Sequence, residues 1–299
     1  MKNDIIYYIS LALIYLLNAL PRWLALRIGG VIGEILYLAG YRDRNMVCRQ
    51  LEFALNLSGQ TLKAYARANF ENMIKNLVDT IRMSNWTPEF IGSIVEVEGY
   101  EYFESAYNQG QGVICLTGHI GNFELMAAWF AAYKNCKVAV IGRELYDKRL
   151  DDKLISQRAK FNIENIPTTS SIKSIMRALH TGHALGVLLD QDSTRVSGYF
   201  IDFFGRKAIT AAGPMYIARK TGSPVVPVAI YRQLDDRYII KIMPQLELAW
   251  TDDKEQDIQN ALEKCNRALE SLIKFDPLQW IWIHNRWRTR PPGEDRENG

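Results

Sequence analysis

The pattern of apolar and polar residues divides the chain into an apolar N-terminal stretch, a helical segment and a longer alternating region. Residues 5–20 contain only two strongly polar side chains, Ser10 and Asn18. As a helix, this stretch would extend about 24 Å, somewhat less than the ~30 Å hydrocarbon core of a bilayer. Between residues 43 and 92, apolar residues recur at helical spacing, which predicts helices.

From residue 94 onward, short apolar runs alternate with segments of helical periodicity. Runs of this length, bounded by polar residues and glycine, are typical of buried strands. The predicted strands are residues 113–117, 137–141, 184–189, 224–231 and 238–243. The predicted helices are residues 150–161, 171–179, 211–221 and 257–275, with a further helical face at 125–133. Strands that alternate with helices predict an α/β domain with a mostly parallel sheet flanked by helices.

The N-terminal stretch favours a membrane-anchor helix, because it is long and because Tyr and Trp flank it. A second apolar stretch, residues 23–41, carries Arg27 and Glu34 and can lie in the membrane interface. A buried core helix and a cleaved signal peptide remain alternatives, although Asp4 disturbs the basic start of a signal peptide. More basic residues follow the stretch than precede it. Because basic residues flank membrane segments on the cytoplasmic side, this predicts that the main domain lies in the cytoplasm.

These patterns predict four segments. Residues 1–41 form a membrane anchor and interfacial helix, and residues 42–93 form a helical lead-in. Residues 94–275 form the α/β domain, and residues 276–299 form a basic aromatic tail. The tail interleaves Trp with Arg, which suits contact with anionic head groups. The alternative is a solvated tail with a few Trp side chains packed into the domain.

Composition excludes several classes of protein. A net charge of +3 is too balanced to indicate a nucleic-acid-binding protein. The four cysteines are widely spaced and form no C-x-x-C pair, so neither a zinc site nor a disulfide framework is indicated, and a reducing compartment is favoured.

His119 is the strongest candidate for chemistry among the four histidines. It follows the predicted strand 113–117 directly, beside glycines and before a helix. The carboxyl end of a parallel strand is where α/β proteins place reactive groups. Glu124 can accept a hydrogen bond from the imidazole if His119 lies in the loop and the helix starts near Asn122. Without a nearby nucleophile in sequence, such a pair suits activation of a substrate hydroxyl.

Two further blocks carry polar or charged groups directly after predicted strands or aromatic runs. Asp190 and Asp192 follow the predicted strand 184–189, and could bind metal, position polar substrate groups or cap a turn. An aromatic run ends in Gly205 and Arg206, which suits an apolar chain beside a phosphate.

Taken in order, these blocks resemble the glycerolipid acyltransferase superfamily. Residues 119–124 resemble its HxxxxD/E motif. Residues 190–192, 203–205 and 226–228 stand in the order and spacing of its bacterial lipid A branch, which adds secondary acyl chains to a lipid A precursor. The N-terminal anchor and residues 142–145 and 284–291 are similar too, so the resemblance covers nearly the whole chain. Each block alone is weakly specific, whereas the ordered set is distinctive.

The resemblance implies an inner-membrane enzyme that faces the cytoplasm and moves a fatty acyl chain from acyl carrier protein to a hydroxyl of a membrane glycolipid. His119 would be the general base and Glu124 its orienting partner. The substrate-binding candidates are Arg143, Asp190, Asp192, Gly205 and Arg206. No metal or organic cofactor is implied. Acylation of a lysophospholipid or of a phosphoinositol mannoside, or lipid binding without catalysis, are the alternatives.

Overall fold

The computed structural model describes residues 2–192 and 197–294, in which five α-helices precede a region of strands and helices. The α-helices are α1 (Lys2–Ala19), α2 (Arg22–Ala39), α3 (Tyr41–Leu55), α4 (Gly59–Arg82), α5 (Pro88–Ile94), α6 (Tyr100–Tyr107), α7 (Phe123–Ala128), α8 (Lys148–Lys160), α9 (Ile172–His180), α10 (Gly213–Thr221) and α11 (Lys254–Phe275). The strands are β1 (Val95–Glu98), β2 (Val113–Thr117), β3 (Val138–Gly142), β4 (Ile163–Pro167), β5 (Ala184–Leu188), β6 (Gly198–Phe203), β7 (Arg206–Ala211), β8 (Val225–Arg232) and β9 (Tyr238–Ile242).

Seven of these strands form one sheet in the order β1-β9-β8-β2-β5-β3-β4. Neighbouring strands run parallel except for the antiparallel pair β8 and β9. Buried residues of β2 and β8 face both sides of the sheet, where helices α9–α11 cover one face and α5–α7 the other. The predicted α/β domain with a mostly parallel sheet is therefore confirmed. Strands β6 and β7 form a separate antiparallel hairpin, which the sequence pattern did not predict.

The N-terminal helices pack against α4 rather than against the sheet. Helix α2 runs antiparallel to α4. Arg22, at the start of α2, pairs with Asp79 near the end of α4 at 2.7 Å. Glu34, toward the end of α2, pairs with Arg67 in the first half of α4. The apolar residues of α1 and α2 are those on which the predicted membrane anchor rests. Among the described residues, no single helix combines the length and apolarity needed to cross a membrane; α2 and α3 meet that test only together, and a bend of 91° separates them.

Gly33 of α2 allows this helix to approach α4 closely, whereas Gly30 does not face the same restriction. A Cβ atom on Gly33 would lie 2.7 Å from Glu71 Cα and 2.8 Å from the Phe70 carbonyl oxygen, which are backbone atoms that cannot move aside alone. A Cβ atom on Gly30 would instead meet the ends of flexible side chains at 3.4 Å or more. The seam between the two helices therefore depends on Gly33 and not on Gly30.

We expect Gly33→Ala to lower the free energy of unfolding by about 1–3 kcal/mol, because the added methyl group overpacks the seam. Gly30→Ala is the matched control, and should leave the stability unchanged or raise it by up to about 1 kcal/mol through better helix propensity. Denaturant unfolding of both variants in detergent measures the difference. Equal stability of the two variants would contradict the proposed seam.

Candidate active site

His119 and Asp190 meet because their strands are adjacent and in register. Strands β2 and β5 pair in parallel, with Thr117 opposite Leu188. The two side chains each lie two residues beyond this last pair, at the carboxyl edge of the sheet. This is the edge where open α/β sheets place reactive groups. The fold therefore brings together two residues that are 71 positions apart in the sequence.

The imidazole of His119 makes a direct hydrogen bond to Asp190. Nδ1 lies 2.8 Å from Oδ1, and the backbone N–H of His119 donates to Oδ2 at 2.7 Å. Because an ionised carboxylate is only an acceptor, we assign the ring proton to Nδ1. Nε2 then carries the lone pair, which accepts the side-chain N–H of Gln191 at 3.3 Å. In this tautomer, Nε2 can accept a proton from a hydroxyl group.

Interaction between the two side chains shifts both of their pKa values. Burial lowers the pKa of His119, but the charge of Asp190 and the hydrogen bond to it outweigh burial and raise the pKa above its usual value. Burial raises the pKa of Asp190, but the charge and hydrogen bonds of His119, with the indole N–H of Trp280, lower it to about 2. Asp190 is therefore an anion at neutral pH, and it stabilises the imidazolium that forms when His119 accepts a proton.

Glu124 does not occupy the position expected for it beside the imidazole. It lies in the first turn of α7, as predicted, but its carboxylate is held by Arg158 of α8. Nε of Arg158 donates to Oε2 at 3.0 Å, and Nη2 donates to Oε1. The structure therefore does not contain the predicted hydrogen bond between Glu124 and the imidazole of His119. Among the described residues, the partner of Nδ1 is Asp190, and Glu124 acts on His119 through its charge.

The loop between β2 and α7 has a conformation that only some residues permit. Gly121 has a φ of +58°, and a Cβ atom there would lie 1.9 Å from the carbonyl oxygen of Ile230. Asn122 caps α7, since its side-chain oxygen accepts the backbone N–H of Leu125 at 3.1 Å. The helix therefore begins at Phe123, as the spacing of His119 and Glu124 requires.

The remaining candidate residues lie apart from this pair. Arg143 is exposed in the loop after β3. Asp192 accepts hydrogen bonds from Arg288 and Thr289. Gly205 is in the turn between β6 and β7, with a φ of +79°, and Arg206 stacks on Phe53. Of the residues that the structure describes, these four are not among those that line the cavity beside His119, and their role in substrate binding remains a prediction.

The Trp side chains of the C-terminal segment pack into the domain, as the alternative interpretation of this segment predicts. Trp280, Trp282 and Trp287 are buried, and Arg286 is fully buried with its guanidinium bonded to the Ile209 carbonyl and the Thr210 hydroxyl. The interpretation of this segment as a head-group-binding tail is therefore wrong for these four side chains, which belong to the protein interior. Residues 295–299, which the predicted tail includes, lie outside the described part of the chain.

A cavity of about 1250 Å³ opens beside His119, and it exceeds the usual size of a site for a small ligand. Helices α1, α4 and α8 form its walls. The apolar lining side chains of α1 and α4 are Tyr7, Leu13, Ile14, Met73, Ile74, Leu77 and Ile81. The basic lining side chains are Arg149, Lys153 and Lys160, all from α8. Glu124 also lines the cavity, so both predicted catalytic residues face the same space.

The fold and site define an α/β protein with a hydrogen-bonded His–Asp pair beside a large, mainly apolar cavity. The chain belongs to the bacterial lipid A biosynthesis acyltransferase family, whose model matches residues 1–289. The predicted resemblance is confirmed.

Three relatives illustrate the similarity, and two of these three come from Escherichia coli. The lipid A biosynthesis lauroyltransferase is 25% identical over 291 residues, covering 96% of this chain and 92% of the relative. The lipid A biosynthesis palmitoleoyltransferase is 25% identical over 228 residues, covering 76% of this chain and 72% of the relative. A third relative is the phosphatidylinositol mannoside acyltransferase of Mycolicibacterium smegmatis, 21% identical over 201 residues, covering 66% and 64% of the two chains. All three relatives are named acyltransferases.

Proposed function

We propose that the protein transfers a fatty acyl chain from acyl carrier protein to a hydroxyl group of a lipid A precursor. The observation that carries this proposal is the position of the hydrogen-bonded pair His119–Asp190 at the wall of a large apolar cavity. Membership of the lipid A acyltransferase family supports the lipid A precursor as the acceptor. Acyl transfer to a phosphoinositol mannoside is the second candidate function, because one relative is named a phosphatidylinositol mannoside acyltransferase.

The reaction requires one proton transfer in each direction. Nε2 of His119 removes the proton of the acceptor hydroxyl as its oxygen attacks the thioester carbonyl carbon. The carbon–sulfur bond then breaks, and the imidazolium returns the proton to the departing thiolate. An ester bond replaces a thioester bond, and no further reactant is needed. Asp190 keeps the imidazole in the reactive tautomer and stabilises its charged form between the two steps.

The cavity suits an acyl chain in its apolar part and a negatively charged donor at its basic side. Side chains of α1 and α4 provide a wall that contains mainly Leu, Ile and Met. Each methylene buried there contributes about 0.8 kcal/mol. Helix α8 lines the same cavity with Lys153 and with Arg149, which is paired with Asp4 and Asp147. Acyl carrier proteins are usually acidic, so this helix is the favoured docking site for the donor.

Helices α1 and α2 form the surface that we propose to contact the membrane. Large apolar side chains on their outer faces are 39–68% exposed: Tyr8, Ile9, Leu13, Tyr15, Leu16, Trp23, Val31, Ile35, Leu36 and Leu38. Exposed apolar surface of this extent marks a protein or membrane contact. Arg27 stacks on Trp23 at 5.4 Å, a pairing that suits the head-group region. The surface and the cavity share α1, so a lipid chain can reach His119 from the membrane. The proposed location is the inner membrane, with the catalytic domain on its cytoplasmic side.

We expect Ile9→Lys and Leu16→Lys to weaken binding to anionic phospholipid vesicles by about tenfold or more. A lysine costs about 2.5–3.5 kcal/mol at the centre of a bilayer, and 1.4 kcal/mol corresponds to a factor of ten. Leu234→Lys is the matched control, because Leu234 is fully exposed in the turn between β8 and β9, away from this surface. Co-sedimentation of each variant with vesicles measures binding. Equal binding by all three variants would exclude α1 as the membrane surface.

Purified protein should be assayed with a panel of acyl-acyl carrier proteins and lipid acceptors. Transfer to a lipid A precursor that lacks secondary chains, and not to a phosphoinositol mannoside or a lysophospholipid, is the expected result. Mass spectrometry of lipid A after deletion of the gene provides the matching test in cells. Unchanged acylation of lipid A in the deletion strain would contradict the proposed acceptor.

A further inference from the structure

The segment that follows α11 runs directly along the loop that carries His119. Trp280 forms an isolated antiparallel bridge with Ile120. The backbone N–H of Ile281 donates to the His119 carbonyl at 3.1 Å, and that of Gly121 donates to the Gln279 carbonyl at 2.9 Å. These bonds fix the backbone on both sides of the catalytic histidine. The C-terminal segment is therefore part of the frame of the active site.

The indole of Trp280 also contacts the carboxylate of Asp190. Its Nε1–H donates to Oδ2 at 2.7 Å, and both side chains are almost completely buried. Oδ2 accepts the backbone N–H of His119 as well, so two donors converge on this oxygen. The terminal torsion of an aspartate is otherwise broadly distributed. With Oδ2 held in this way, Oδ1 is left to face Nδ1 of the imidazole.

We propose that Trp280 is a positioning residue for the reaction: its indole N–H holds the Asp190 carboxylate in the orientation that keeps the proton of His119 on Nδ1. This inference rests on the proposed role of His119 as the general base. Without the indole N–H, the carboxylate can turn away from the ring. A neutral histidine whose Nδ1 lacks this acceptor can carry its proton on Nε2, where it blocks attack on a hydroxyl group.

Side chains of the N-terminal helices hold Trp280 in place. The amide of Asn69 on α4 donates to the carbonyl oxygens of Leu278 and Trp280 at 2.9 and 2.6 Å. Gln50 on α3 donates to the His284 carbonyl at 2.9 Å and accepts the backbone N–H of Arg286 at 3.0 Å. These bonds fix the main chain on both sides of Trp280. A fixed main chain is needed to keep the indole N–H directed at the Asp190 carboxylate.

Other charged and titratable groups also face His119, and replacing Trp280 leaves them in place. Glu124 on α7 acts on His119 through its charge, and its carboxylate is also paired with Arg158. His284 on the C-terminal segment accepts the backbone N–H of Asp192 at 2.9 Å through Nε2. A change in the tautomer of His119 on loss of the indole N–H would therefore act through Asp190.

The test compares Trp280→Phe with Trp282→Phe in the full-length protein. Trp282 is an apt control, because its ring is also buried, contacts that of Trp280 at 4.4 Å, and donates its Nε1–H to the Pro277 carbonyl instead of to Asp190. Nitrogen-15 NMR of histidine-labelled protein reports the tautomer directly, and the chain has only four histidines. We expect Trp280→Phe to shift His119 toward the Nε2–H tautomer, and Trp282→Phe to leave it as Nδ1–H.

In the transfer assay, with an acyl-acyl carrier protein and a lipid A precursor as probes, kcat of Trp280→Phe should fall about tenfold to hundredfold, with KM unchanged. If Trp280→Phe does not fold, 3-benzothienylalanine at position 280 keeps the ring shape and removes only the donor. An unchanged His119 tautomer in either variant at position 280 would overturn the positioning role. The NMR readout needs no substrate, so this failure is distinct from that of the proposed function, which would show as no acyl transfer by the unmodified protein.

Discussion

Replacement of His119 by alanine is expected to lower kcat for acyl transfer by about 10²- to 10⁴-fold, the usual contribution of general acid–base catalysis. The side chain lies at the cavity wall, and its Nε2 is the ring nitrogen left to accept a proton. KM should change little, because the apolar walls that we propose to hold the acyl chain are intact. Radiolabelled acyl transfer to a lipid A precursor under saturating substrate measures the loss.

His183→Ala is the control for this variant. His183 is partly buried at the end of α9, where Nδ1 lies 3.0 Å from the carbonyl oxygen of Ala178, and it does not line the cavity. It should retain activity close to that of the unmodified protein. Full activity of His119→Ala would exclude His119 as the base and show that other groups carry the transfer.

The dependence of activity on pH follows from the same pair. His119 must be neutral to accept a proton, so activity falls as the pH decreases through its pKa. Burial alone would lower that pKa, but Asp190 raises it above the ordinary value of 6.5. The acid limb of kcat/KM should therefore lie above pH 6.5. An acid limb well below that value would show that the pair is not formed in the free enzyme.

The sequence predicts the sheet better than it predicts the contacts across the sheet. Apolar runs predict β2 with the bounds that the structure shows, and β5 to within one residue. Their adjacency is not visible in such runs, because β3 and β4 lie between them in the chain but at one edge of the sheet. The pairing of His119 with Asp190 depends on that strand order. The motif alone therefore indicates Glu124 as the partner, since it is the nearest carboxylate in sequence.

Two further differences between the sequence-based predictions and the structure also arise from tertiary contacts. Arg158 is 34 positions from Glu124, and only the tertiary structure brings the two side chains together. The C-terminal segment is rich in Arg and Trp, which is also the composition of a head-group-binding tail. Its arginine at position 286 is buried, and the two terminal guanidinium nitrogens are satisfied by carbonyl and hydroxyl oxygens of β7. Such satisfaction comes from tertiary structure and leaves no local signal in the sequence.

Asp190→Asn is expected to reduce kcat by about 10⁴-fold, as loss of the carboxylate that orients a catalytic histidine does elsewhere. The asparagine amide can donate to Nδ1, which forces the ring proton onto Nε2 and blocks proton abstraction. The loss of the negative charge also removes the main cause of the raised pKa of His119. Any residual activity should therefore show an acid limb at lower pH than that of the unmodified protein.

Glu124→Gln is the comparison that separates the two carboxylates. Its charge is the smallest of the contributions to the pKa of His119, so the acid limb should move less than in Asp190→Asn. The amide leaves Arg158, which is only 12% exposed, without its anion. Breaking such a pair costs up to about 3–5 kcal/mol of folding stability. Activity should fall by at least tenfold through loss of the paired geometry beside the cavity, while His119 stays in the Nδ1–H tautomer.

The pattern across the two variants decides which carboxylate orients the base. If Asp190 orients it, only Asp190→Asn changes the tautomer in nitrogen-15 spectra, and the larger loss of stability falls on Glu124→Gln. If Glu124 orients it, as the spacing of the motif alone indicates, the tautomer changes in Glu124→Gln and Asp190→Asn retains it. The hydrogen bond of 2.8 Å between Nδ1 and Oδ1 of Asp190 favours the first outcome, because an orienting acceptor must contact the nitrogen whose proton it holds.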